Sequence, residues 1–266
     1  MGIVNVTPDS FSDGGQFASA EAAVAHGLDL VSQGADLLDV GGESTRPGAA
    51  PVPLDEELRR VLPVVRALAA RTAVPLSVDT SKAEVARACV AAGARIVNDV
   101  TALQGDPGLA EVVRATGAGV ILTHMRGTPA DMQRDPYYDD VVGEIAAFLE
   151  ARLQALAGLG IAREQVVLDP GIGFGKTGQH NLEILARLEE FGRLGRPVCL
   201  GVSRKGFVGR VLGGRPVERR LAGSLAAVCY AVGRQAVHVV RVHDVEATKD
   251  AVGVFRAIQG GGEQPA

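Results

Sequence analysis

Short apolar runs alternate with longer amphipathic stretches along almost the whole chain. The runs are IVNV (3–6), DLLDV (36–40), PLSVD (75–79), RIVND (95–99), GVILTH (119–124), QVVLD (165–169), PVCLGV (197–202) and VHVVRV (237–242). Between them lie helix-like stretches at 19–33, 55–70, 81–92, 107–116, 138–158, 178–190, 206–233 and 244–258. Short strands separated by helices mean βαβ units and a parallel sheet, because parallel neighbours need a crossover connection. About eight such units in about 250 residues are the arithmetic of a closed barrel. The prediction is a single-domain α/β fold, a (β/α)8 TIM barrel over residues 1–258. The competing doubly wound sheet usually has fewer strands and a glycine-rich turn after the first. Ser81 is placed to cap the helix after the third run. Gly34 and Gly93 are placed to end their helices in the left-handed conformation. Residues 259–266 read as a disordered tail.

Composition narrows the class of function. Of 266 residues, 47% are hydrophobic and 22% charged, ordinary for a soluble globular protein. The 34 glycines fit tightly connected strand–helix units. A net charge of −4 points to neither nucleic acid nor an anionic membrane. Cys89, Cys199 and Cys229 match no CxxC pattern and read as reduced thiols. No apolar run nears the roughly 20 residues that span a bilayer, and no signal peptide is evident. The expectation is a cytoplasmic protein.

Polar residues gather where the apolar runs end. These are Asn5, then Asp39 leading into GGESTRPG, Asp79, Asn98–Asp99, His124–Met125, Asp169, Ser203–Arg204–Lys205 in SRKG, and Arg241 with His243. In a barrel these ends converge on one face, where barrel enzymes keep their active sites. A single acid after a strand is as readily a helix cap; a polar end on all eight strands is not. Acids and amides suit the edge of a polar heterocycle, and bases such as Arg46, Lys205 and Arg241 suit phosphate. A polyphosphate substrate favours Mg²⁺, with an oxygen ligand such as Asn5. Without HExxH or a Cys/His cluster, zinc is not expected. GFGKTG (173–178) imitates two nucleotide motifs. It fails as a P-loop because Pro170 stands where Gly is needed, and as a dinucleotide fingerprint because it follows the sixth run. It reads instead as a glycine-rich loop that brings backbone close to a flat ligand. His26, His180 and His238 read as packing or surface residues.

The stretches GIVNVTPDSFSDGG, GADLLDVGGESTRPGA, NDV, HMRGTP, DPGIGFGKT, GVSRKGF and RVHDV, in this order from residue 2 to about 245, resemble the dihydropteroate synthase family. The resemblance implies a pterin-binding barrel and a transferase of folate biosynthesis, the target of sulfonamides. Such an enzyme condenses 6-hydroxymethyl-7,8-dihydropterin pyrophosphate with 4-aminobenzoate to give 7,8-dihydropteroate and pyrophosphate. By this resemblance Asp79, Asn98, Asp169 and Lys205 are the polar groups of the pterin pocket, with Met125 and Phe174 as its apolar walls. Asn5, Arg241 and His243 mark the Mg²⁺ and pyrophosphate end, and Thr45, Arg46 and Ser203 the side of the second substrate. Asp79, Asp169, Lys205, Arg241 and His243 form the expected catalytic set. NVTPDSFSDGG becomes a loop that closes over the site, with Phe11 as a wall of the aminobenzoate pocket. The family commonly forms homodimers through its last helices, and RLAGSLAAVCYAVG (220–233) is the candidate surface. Its members usually carry a short segment before the first strand, whereas the match here starts at residue 2. A methyltetrahydrofolate-binding methyltransferase relative should lack the two loop signatures, and a non-catalytic paralogue should have lost a site residue. Neither departure is present in the sequence.

Overall fold

The computed structural model describes residues 1–6 and 20–260. Six parallel strands follow one another in chain order: β1 (Gly2–Asn5), β2 (Leu38–Gly41), β3 (Leu76–Asp79), β4 (Ile96–Asp99), β5 (Gly119–Thr123) and β6 (Val166–Asp169). A parallel pair, β7 (Cys199–Leu200) and β8 (Val239–Val240), completes the ring. Single bridges join Leu168 to Val198 and Gly2 to Val242, closing the sheet at both seams. At the second seam Ile3 N donates to Val242 O (3.1 Å) and Val242 N to Met1 O (3.0 Å). All eight apolar runs become strands, and the closed α/β barrel expected from the periodicity is present.

The helices are α1 (Ala20–Ser32), α2 (Leu54–Ala69), α3 (Ala83–Ala91), α4 (Pro107–Thr116), α5 (Val141–Gly158), α6 (Gly178–Ala186), α7 (Glu189–Gly192), α8 (Gly206–Val211), α9 (Leu221–Gly233) and α10 (Val245–Gly260). Two expected helices differ. The stretch 206–233 is two helices, because Gly213 and Gly214 take φ of +73° and +87° and Pro216 follows. The stretch 178–190 likewise breaks between α6 and α7. Ser81 does not cap α3. The side chain of Asp106, which caps α4 through Gly108 N (2.9 Å), also accepts from Ala83 N (2.8 Å). One carboxylate therefore serves two helix starts. Gly34 (φ +90°) and Gly93 (φ +117°) sit after α1 and α3 as expected.

The interior of the barrel is layered by the two-residue period of its strands. Ile96, Ile121, Val167, Cys199 and Val239 pack with Met1 and Leu37 in a small apolar cluster. Two residues further along the same strands stand Asn98, Thr123, Asp169, Gly201 and Arg241, which line a cavity. The same alternation thus builds an apolar floor and, one layer above it, a polar site. Outward-facing Val4, Val40, Val78, Val97, Val120 and Leu168 are fully buried in the main core beneath the helices. Burying each such side chain contributes about 1.5–3 kcal/mol, which makes this layer the frame of the fold.

Candidate active site

The strand ends open into a cavity of about 770 Å³. Asn5, Thr45, Arg46, Asp79, Asn98, Asp169, Phe174, Ser203, Lys205, Arg241 and His243 all line it. The structure thus brings together nearly every residue singled out in the sequence. Asp39, Asp99, His124 and Met125 do not line it; Met125 follows β5, whereas Met132, further along the same loop, does line the cavity. Phe11 lies outside the described residues.

Arg241 organises the acids. Its Nε donates to Asp39 Oδ2 (2.6 Å) and a terminal nitrogen donates to Asp79 Oδ2 (2.9 Å). Asn98 Nδ2 donates to the same Asp39 oxygen (3.0 Å). Asp39 is completely buried, and its Oδ1 has no partner among the described residues. Arg241, which the resemblance sets at the pyrophosphate end, lines the cavity with its guanidinium bonded to two carboxylates. The physical reason is Asp39. A buried carboxylate needs a countercharge, and the neighbouring strand end supplies one.

Burial sets the protonation of the site. It pushes the Asp79 carboxyl up to about 7, against the pull of Arg241 and with help from the negative charge of Asp39. It also raises Asp169, against the opposing charge of Lys205 and the hydrogen bond from Gly171 N to Asp169 Oδ1 (2.7 Å). Lys205 is brought down to about 8, chiefly by burial and against the attraction of Asp169. Its Nζ donates to Ile172 O and stands 4.7 Å from the centre of the Phe174 ring. An acid titrating near neutrality and an amine only slightly above it, in one cavity, are the signature of a functional site.

At the other end of the site Ser203 Oγ and His243 Nδ1 are 3.0 Å apart, and Ser203 Oγ accepts from His243 N (3.2 Å). Burial and the charges of Arg241, Arg204 and Arg46 hold the His243 ring down to about 3. In the free protein His243 is therefore neutral. Arg204, between Ser203 and Lys205, has φ of +56°. This conformation is uncommon for a side chain other than glycine. It is held by Arg204 N donating to Ser224 Oγ (2.8 Å), by Arg204 Nε donating to Asp244 Oδ2 (3.0 Å), and by Arg220 donating to Arg204 O (3.0 Å). With this bend between them, Ser203 and Lys205 both reach the cavity.

The loop after β2 forms the opposite rim. Glu43 fixes its neck: Oε1 accepts from Val52 N (3.3 Å), and the other oxygen accepts from Lys82 Nζ. Lys82 also donates to the completely buried Glu57 on α2. At its tip Gly48 N donates to Pro129 O of the β5 loop (2.9 Å). Thr45 and the exposed Arg46 lie between these anchors. Sequence reasoning missed Glu43, Lys82 and Glu57, since only the fold brings the three together.

A sequence model of the family described as "Pterin binding enzyme" matches residues 1–243. The chain is 49% identical to the dihydropteroate synthase of Escherichia coli (strain K12), covering 97% of this chain and 90% of that one. Among solved structures, the Yersinia pestis dihydropteroate synthase in a sulfonamide drug complex matches with a TM-score of 0.94 and 46% identity, covering 98% of this chain and 94% of the other. The Xanthomonas albilineans dihydropteroate synthase with 4-aminobenzoic acid matches with a TM-score of 0.91 and 53% identity, covering 97% and 92%. The same enzyme in complex with 7,8-dihydropteroate matches with a TM-score of 0.87 and 50% identity, covering 97% and 92%. A buried acid–amide–lysine set at the mouth of a parallel barrel and near-complete coverage by these relatives lead to one assignment: the chain belongs to the pterin-binding enzymes, in the dihydropteroate synthase family.

Proposed function

We propose that the chain is a dihydropteroate synthase. It joins 6-hydroxymethyl-7,8-dihydropterin pyrophosphate to 4-aminobenzoate, giving 7,8-dihydropteroate and pyrophosphate in folate biosynthesis. The observation that carries the reading is the cluster of buried Asp79, Asn98 and Asp169 with half-buried Lys205 in one cavity, in a chain so similar to a synthase solved with its product. A pterin edge offers N–H donors that carboxylates and the Asn98 oxygen accept, and a carbonyl oxygen that Lys205 meets as a donor. Phe174 supplies a flat apolar wall.

The pterin methylene carbon loses its bond to the pyrophosphate oxygen and gains one to the arylamine nitrogen, which then sheds a proton. Positive charge develops on the pterin as the C–O bond breaks, and Asp79 and Asp169 stabilise it from inside the barrel. Ser203, His243 and Arg46 lie toward the rim, where the leaving group and the second substrate would sit. His243 is neutral in the free protein, so it offers an N–H; the arrival of the dianionic end of the substrate raises its affinity for a proton. The arylamine needs little activation, so no strong general base is required. Thr45 and Arg46 border the second substrate.

Among the described residues no three His, Cys, Asp or Glu side chains converge on a metal. The amide of Asn5 at the end of β1 suits an ion that shares most of its ligands with phosphate oxygens and water, as Mg²⁺ does. Bound there, Mg²⁺ would neutralise charge on the leaving pyrophosphate. We further propose a homodimer through α9 and α10. These helices pack on each other and leave Leu221, Tyr230, Val254 and Ile258 exposed. A reducing cytoplasm fits the buried free thiols Cys89 and Cys199. No helix among the described residues is long and apolar enough to cross a membrane.

The test follows pyrophosphate release and dihydropteroate formation with the pterin substrate and Mg²⁺, with and without 4-aminobenzoate. Product is expected only when all three are present, and a sulfonamide should compete with 4-aminobenzoate. Pterin binding without product would leave a pterin-binding protein and reject the synthase.

A further inference from the structure

The loop after β6, DPGIGFGK, is fixed carbonyl by carbonyl. Gly171 O accepts from Phe174 N (3.0 Å), Ile172 O from Lys205 Nζ, and Gly173 O from Gln133 Nε2 (2.7 Å). Phe174 O accepts from Lys176 Nζ (2.8 Å) and Gly175 O from the Tyr138 hydroxyl (2.9 Å). Of these five donors, Lys205 alone is a group that the pterin would also engage. When Lys205 turns to substrate, Ile172 loses all or part of its donor, and the loop must hold its shape by other means.

Lys176 supplies those means. Its side chain is completely buried, the largest so buried in the described chain. Besides Phe174 O, its Nζ contacts His124 Nδ1 (2.9 Å) and His124 O (3.2 Å). Its Nζ thus meets three polar atoms at once, Phe174 O on the β6 loop and two atoms of His124, the residue after β5, and burial brings this amine well below the ordinary lysine range. The seam between the two loops is in backbone contact: a Cβ on Gly171 (φ +71°) would lie 1.8 Å from His124 O. The His124 ring is oriented by an edge contact with Phe148, centroids 4.9 Å apart. Burial and the nearby charges of Lys176 and Arg126 hold the ring neutral, down to about 2, so it has one nitrogen free to accept. The lysine that makes GFGKTG resemble a phosphate loop has its amine committed to a ring nitrogen and two carbonyls.

We propose that Lys176 is a positioning residue for the pterin half of the site. It clamps the β6 loop to His124, so that the Phe174 ring and the Ile172 carbonyl that seats Lys205 stay in register while Lys205 holds the pterin oxygen. Lys176 borders the cavity, but with its amine committed to His124 and Phe174 it acts through Phe174 and Lys205. The inference rests on the synthase reading above.

Lys176→Met keeps the length and apolar stem of the side chain and removes its amine. In steady-state assays of the full chain we expect the KM for the dihydropterin pyrophosphate to rise about tenfold, with the 4-aminobenzoate KM and kcat within about twofold. A merely structural lysine would lower the melting temperature and leave the pterin KM unchanged at a temperature where the variant is folded; that result overturns the proposal. Should Lys176→Met not fold, the pair His124→Asn and His124→Leu decides. The Asn amide oxygen can occupy the place of Nδ1 and accept from Lys176, whereas Leu cannot. The pterin KM should stay near that of the unsubstituted chain in His124→Asn and rise about threefold in His124→Leu. Equal KM values in the two overturn the proposal. An unsubstituted chain that forms no dihydropteroate rejects the synthase reading instead, which keeps the two failures distinguishable.

Discussion

The two halves of the barrel mouth are built differently. On the β6 side, consecutive carbonyls from Gly171 to Gly175 each have a donor, and Phe174, Asp169 and Lys205 sit on a scaffold with little room to move. On the β2 side, the loop carrying Thr45 and Arg46 is gripped at its neck by Glu43 and Lys82, touches the β5 loop at Gly48, and leaves Arg46 exposed. The difference fits an enzyme with two unlike substrates. A rigid, buried half reads the heterocycle by hydrogen bonds, which demand position to within a few tenths of an ångström. A half hinged at its neck can open for a second substrate and close over it.

The sharpest way to break the comparison is at the centre of the rigid half. Asp169 is buried, receives Gly171 N through one oxygen, and faces Lys205. Asp169→Asn keeps the shape and removes the charge opposite the developing cation. We expect kcat/KM for the pterin substrate to fall on the order of 100- to 1000-fold, with the 4-aminobenzoate KM nearly unchanged. A loss shared equally between the two substrates would mean that the halves are not separate devices.

Much of the rigid half was legible in the sequence. Asp79, Asn98, Asp169, Lys205 and Arg241 each stand at the end of an apolar run, and the two-residue period that turns Ile96 inward turns Asn98 inward as well. What could not be read was pairing. Asp39 and Arg241 are 202 positions apart and make a 2.6 Å bond, and no local pattern announces a partner at that distance. Lys176 was hidden for another reason: the glycines around it imitate a phosphate loop, and only the His124 and Phe174 contacts show where its amine goes. Met125, taken from the resemblance as an apolar wall, does not line the cavity, whereas Met132 further along the same irregular loop does. The split of 206–233 turned on Gly213, Gly214 and Pro216, breakers that lie inside an otherwise helical pattern.

A second prediction sharpens the comparison through pH. Burial holds the Asp79 carboxyl at about 7 in the free protein, against an ordinary value of about 3.9. Between these values the folded state keeps a proton that the unfolded state has lost. The contribution of Asp79 to stability is therefore fully present below the ordinary value and falls as pH rises through the window to about 7. Pterin binding has the opposite sign. N–H donors on the pterin edge favour the carboxylate, so binding releases a proton and tightens as pH rises to about 7. Lys205 loses its charge above about 8, which sets the upper limit. Titration calorimetry in buffers of different ionisation heats should show proton release at pH 6. The Kd should weaken about tenfold for each pH unit below 7, and Asp79→Asn should flatten that limb. Binding of 4-aminobenzoate to the pyrophosphate-loaded enzyme should show no such limb. A pH dependence of equal size for both ligands would locate the titrating group outside the pterin pocket.

The smallest expected effect tests the hinged half directly. Glu57 is completely buried on α2, and burial raises its carboxyl above the usual range despite its bond to Lys82. Lys82 joins this acid to Glu43, and Glu43 in turn holds Val52 N, so the two ends of the loop are drawn together around one ammonium group. Arg60 adds a second anchor by donating to Gly42 O (2.9 Å). Removing the ammonium with Lys82→Met frees the neck but leaves the tip contact at Gly48 and every group of the rigid half in place. The stability cost should be about 2 kcal/mol, below that of a fully buried pair because Lys82 and Glu43 are partly solvated. Once the neck is loose, Thr45 and Arg46 sample more positions, and binding the second substrate must order them again. The expected result is a 4-aminobenzoate KM raised about threefold to fivefold, with the pterin KM and the pH limb of Asp79 unchanged. Lys82→Arg keeps a cation that can bridge both acids and should restore most of the loss. Should Lys82→Met raise the pterin KM as much as the other, the β2 loop would be part of the rigid half, and the hinge would have to be sought elsewhere on the rim.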